Sequence, residues 1–207
     1  MKKSLKYFWL AAAFLVLAYF FNNGDSSITT SSSSEAITVS SGSADYLVYD
    51  SLEELEKNSD LIVKGKLYGE PTIQNIYQNG VHIDSVRKTE TRITDVFKGQ
   101  VSEGEIVIVY EPGFVRDNIL ETMEGYVPMN ISGNYLLFLH ENPNGEYVVM
   151  GVNQGKYDLN ITEKAKKYTS ISKEKLEKVD YVGESPNRFN KMKNEVLEKY
   201  NSEDSHN

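Results

Sequence analysis

The 207-residue chain contains no cysteine. Disulfides, thiolate metal sites, a cysteine nucleophile and a lipidated cysteine are therefore excluded. Histidine is scarce: His82, His140 and His206 are the three present, and none falls in an H-x-x-x-H or H-E-x-x-H spacing. The pattern names no zinc site. No G-x-S-x-G elbow for a serine hydrolase occurs. Clusters of Lys and Arg interleaved with aromatics are also missing, and the formal net charge is −8. Such a field repels nucleic acid and anionic head groups, so nucleic acid is not an expected partner. Neither a cofactor nor a metal is expected.

What the chain does have begins at its first residues. Lys2, Lys3 and Lys6 precede the uncharged run "YFWLAAAFLVLAYFF", Tyr7 to Phe21. A basic end followed by an apolar run is the layout of a secretory signal. With Leu5 the run is about 17 residues, the short end of what spans a bilayer. The "NNGDSS" beyond it offers no small-x-small cleavage site. Residues 1–21 are thus expected to be a single-pass signal anchor, with the lysines cytoplasmic and the remainder outside. Cleavage would instead make the protein secreted. Residues 22–44, rich in serine and threonine, cannot bury enough apolar surface to offset chain entropy and read as a flexible tether.

The folded domain is expected over residues 45–161. Ser51 and Glu54 form a capping box opening a short helix, with Leu52 and Leu55 on its buried side. "DLIVKGKLYG" reads as a strand interrupted at Gly65, as at a bulge or barrel corner. Asn79-Gly80 between two alternating runs predicts a hairpin. In "TETRITDVFKGQ", Ile93 and Val96 are three apart, which a bulge, or burial of both faces near Phe97, would reconcile. "EIVIVYE" reads as a central strand covered on both sides. The pattern then lapses from Pro112 to Gly133, and a loop that long is functional or mobile. "YLLFLHE", "YVVMG" and "QGKYDLN" add strands. Six or seven strands with evenly spaced turns favour a small barrel or sandwich.

Residues 162–200 read as C-terminal helices, and 201–207 as a disordered tail. Ser185-Pro186 is a good helix start, after which Phe189, Met192, Val196 and Tyr200 share one face. That stripe suits packing onto the chain's own domain or docking of a partner. "GVNQGK" lacks the residues of a phosphate loop and reads as a turn, and the paired carboxylates read as solvated surface. The candidate contact residues are Phe114, Tyr126 and Met129, apolar side chains among the glycines of the 112–133 segment.

Four pieces carry a resemblance: "SDLIVKGKL", "TRITDVFKG", "GEIVIVYEPG" and "SGNYLLFLHENPNGEYVVMGVNQGKYDL". The chain resembles membrane-anchored or secreted extracytoplasmic proteins of Bacillus-like bacteria. The order of the pieces, Ser59 to Leu159, is similar to the netrin-like domain of tissue inhibitors of metalloproteinases. That resemblance implies a mainly β (α+β) fold: a small OB-like barrel with a short N-terminal helix and C-terminal helices, here preceded by one transmembrane helix. The inhibitors' amino-terminal cysteine has no counterpart, so their protease chemistry does not carry over. The expectation is a non-enzymatic binding module engaging a protein or envelope ligand through the barrel face and the 112–133 loop. A cell-envelope hydrolase with an acidic or histidine site, and an immunity-type protein docking through its C-terminal helix, are the alternatives.

Overall fold

The computed structural model describes residues 35–43 and 46–202. The expected anchor at 1–21, most of the tether and the tail from residue 203, with His206, lie outside the described residues, whereas 201–202 continue the last helix. Among the described residues no helix is long and apolar enough to cross a membrane.

The protein is mainly β, with two sheets and a few helices. The larger sheet holds β2 (Leu61–Gln78), β3 (Val81–Lys98), β4 (Ile106–Glu111), β7 (Tyr135–Glu141), β8 (Tyr147–Val149) and β9 (Lys156–Asp158). Its order is β2-β3-β4-β8-β7-β9, and β7 also pairs with β2, so five of its strands form a closed ring of ladders. All ring pairings are antiparallel except β4 with β8. The smaller sheet runs β10 (Ser170–Ser172), β1 (Ala36–Gly42), β6 (Ile119–Met123), β5 (Gly113–Arg116). Helix α1 (Leu52–Asn58), the short α2 (Lys173–Leu176) and α3 (Pro186–Ser202) complete the chain.

Local chemistry accounts for much of this. Ser51 Oγ accepts the Glu54 N–H at 3.2 Å and the Glu54 carboxylate accepts the Asp50 N–H at 3.0 Å, closing the start of α1. Asn79 and Gly80 both have positive φ, the conformation of a type I′ turn. The β2–β3 register places Lys64 opposite Asp95 and Gly65 opposite Ile93, so Thr94 is the extra residue of a bulge. That bulge returns Ile93 and Val96 to the same core. Gly99 takes φ of +106° against Leu61, where a Cβ would stand 2.6 Å from the Leu61 Cδ1.

Three cores follow. Inside the ring lie Val63, Ile93, Val109, Tyr135, Leu137 and Leu139. The opposite face of β7, Leu136 and Phe138, packs with Leu52 and Leu55 of α1 and with Phe189, Met192, Val196 and Tyr200 of α3. The uninterrupted apolar run of β7 therefore reports burial on both faces. The third core, Ile37, Leu120, Val127, Ile171, Leu176 and Val182, lies against the small sheet.

Several expectations are corrected. Among the described residues eight strands, not six or seven, lie within 45–161, and two more lie outside it. Residues 36–42, read as tether, are strand β1: it pairs with β10 and β6 and buries Ile37. Residues 113–123, read as loop, form the β5–β6 hairpin, whose turn residues Asp117 and Asn118 both have positive φ. Between 162 and 185 the chain forms β10 and the one-turn α2 rather than a long helix. Strand β4 has hydrogen-bonded neighbours on both edges but buries only one face, Val107, Val109 and Glu111.

Candidate functional site

Strands β2 and β3 are each 18 residues long, yet β7 contacts β2 only at 61–65 and β4 contacts β3 only at 87–92. Beyond those contacts 72–78 pairs only with β3 and 81–86 only with β2, which forms a two-stranded arm. At Glu111 the chain leaves the β3 ladder, because Pro112 has no N–H to continue it. It turns into β5 of the small sheet. The arm and the small sheet thus diverge from one point, and a groove lies on each side of Phe114.

One groove has a volume of about 400 Å³, with Phe114, Met129, Val127 and Leu176 buried and Ile73 and Val115 partly exposed along it. The other, about 390 Å³, lies between His82–Val86 of the arm and Ser40, Glu121 and Met123 of the small sheet. Arg116 stacks over the Phe114 ring at 5.2 Å and bonds Glu121 at 2.7 Å.

Glu111 anchors the fork. Its carboxylate is fully buried and takes three donors: Arg87 Nη1 at 2.5 Å, the Tyr126 hydroxyl at 2.7 Å and the Met129 N–H at 2.7 Å. Arg87 is its direct cross-strand neighbour. Burial, then the Glu111 charge, holds the Tyr126 phenol well above its ordinary pKa, so it remains a donor.

A second buried charge cluster ties the C-terminal segment to the ring. Asp180 accepts from Lys156 Nζ at 3.3 Å, from Lys193 Nζ of α3, and from the Asp158 N–H at 3.0 Å. The Lys156 ammonium also sits 5.3 Å from the Tyr126 ring centroid and 5.1 Å from that of Tyr135. Burial raises the pKa of the nearby Asp158, the Asn160 N–H opposes the shift, and the Asp180 charge adds to it.

The structure places the three candidate residues around one end of the ring but not on its surface. Tyr126 and Met129 belong to the ring's interior core, and Phe114 is buried beneath the arm. Phe114 and Met129 line the first groove; Tyr126 does not. The exposed groove positions Ile73, Val115 and Lys173 were not apparent in the sequence, since two of them come from elements far apart along the chain. Glu111, Asp180 and Lys156 were also missed, because a buried carboxylate has the same sequence signal as a solvated one.

The described histidines do not converge. His82 Nε2 lies 2.9 Å from Ser85 Oγ on the exposed arm, and Ser85 Oγ donates to Asn75 at 2.9 Å. His140 Nδ1 contacts Asp60 at 2.6 Å beyond the ring. Among the described residues no three His, Asp or Glu side chains are grouped to hold a metal.

With this geometry described, comparison with known proteins adds no family. No protein-family model matches the chain, and no curated protein matches it.

Proposed function

We propose that the chain is a non-enzymatic binding module, displayed outside the cytoplasmic membrane by residues 1–21, that engages a protein or envelope ligand in the grooves beside Phe114. The observation that carries this reading is the apolar groove of about 400 Å³ between arm and small sheet, with buried walls and a partly exposed rim. Ligand sites are concave, mostly apolar and largely pre-formed.

The ring is an OB-like barrel in this reading, in keeping with the likeness to netrin-like domains. Five strands in Greek-key order with a parallel β4–β8 closure support it. OB folds bind through the face of their second and third strands and the loop joining the first two. Those parts correspond here to β3, β4 and the arm. The groove beside Phe114 supplies the local chemistry at that end of the ring.

Placing a photo-crosslinking side chain at Val115 or Lys173, in intact cells, tests the proposal. A discrete adduct shared by both positions is expected; none at either position contradicts it.

A further inference from the structure

The arm carries a surface that the groove does not use. Ile76, Tyr77 and Val81 are each between 36% and 65% exposed. Neither Ile76 nor Tyr77 lines either groove. The outer edges of both arm strands pair with no third strand among the described residues. An exposed apolar ribbon with open edges is a template for strand pairing, which proteins ordinarily blunt with lysine, proline or a covering element.

Charge identifies the occupant. Of the 15 residues Thr72 to Val86, Asp84 alone carries a formal charge, in a chain of net −8. Two copies would repel over most of their surfaces and least at the arm. Antiparallel pairing is itself twofold symmetric, so an open edge is complementary to the same edge of a second copy.

We propose that the arm, residues 72–86, is a self-association surface through which two copies of this chain pair ribbon to ribbon. The association is distinct from ligand capture, and either can fail without the other.

The absence of cysteine makes the test clean, since an introduced thiol is the only one in its own chain. The full chain carrying Val81→Cys is exposed to a mild oxidant and run on a non-reducing gel. Expected is a disulfide-linked species of twice the 23.5 kDa chain mass. Ser102→Cys, in the turn at the other end of β3, gives little. Adding Tyr77→Lys, at a solvent-facing position that leaves the core intact, should lower the arm's crosslinking yield roughly tenfold, the factor that about 1.4 kcal/mol represents. Arm yields no higher than that of Ser102→Cys overturn the proposal. So does a yield indifferent to Tyr77→Lys, or disappearance of the arm thiol into an adduct with a different protein.

Discussion

The Tyr126 hydroxyl donates to the Glu111 carboxylate at 2.7 Å, with both side chains enclosed by protein. The pair closes the end of the ring at the point where β4 departs from β3, and the Met129 N–H shares the same oxygen. Tyr126 is therefore a support of the fork between arm and small sheet.

Removing either member should loosen that fork. Tyr126→Phe leaves Glu111 with one donor fewer and should cost about 1–3 kcal/mol. Glu111→Ala strands the Arg87 guanidinium in a mostly buried site and should cost about 3–5 kcal/mol. Urea unfolding of both variants measures this; a loss below about 0.5 kcal/mol for Glu111→Ala would show that water already solvates the pair.

Asp180 should be equally sensitive. It forms ion pairs with both Lys156 and Lys193, and its loss leaves two buried ammonium groups without that carboxylate. Asp180→Ala should destabilise the fold by about 3–5 kcal/mol. Hydrogen exchange should show α3 loosening first, because Lys193 belongs to that helix.

Asp158 gives the pH dependence a sign. Its native pKa is raised, mainly by burial, so the native state holds this proton more tightly than the unfolded chain does. Its contribution is most favourable below the unfolded carboxylate value and declines as pH rises through the raised native value. Asp158→Asn removes that decline. The variant's stability relative to wild type should therefore improve between pH 4 and pH 7, checked by urea melts at roughly those two values. A relative stability that worsens over this interval would refute the assignment.

Phe114→Ala should cost about 3–5 kcal/mol, because the ring is buried under the arm. Loss of ligand capture by that variant would be confounded with unfolding. Val115→Asp, at a partly exposed rim position, should change stability by less than about 0.5 kcal/mol and is the informative substitution. A thermal melt of both separates the two effects.

The sequence revealed the local devices well. The capping box at Ser51, the Asn79-Gly80 turn and the bulge after Ile93 each depend on neighbours within a few residues. The apolar stripe of α3 was legible too, and it is spent on the chain's own core rather than left for a partner. Strands β1 and β10 were not legible, since each is short and is stabilised by pairing across more than 130 residues. The β5–β6 hairpin escaped because its alternation is brief and flanked by glycine and proline. Of the candidate site, Phe114 and Met129 were found as groove walls, whereas the rim arises from Ile73, Val115 and Lys173, which only the fold assembles.

The central claim is most directly tested by the yield of the Val115 photo-adduct in intact cells, with and without Ile73→Asp on the opposite rim. The account predicts a discrete adduct whose yield falls roughly tenfold in the variant, while a probe at Ser102 gives none. An adduct equally strong with Ile73→Asp, or equally strong from Ser102, would contradict it.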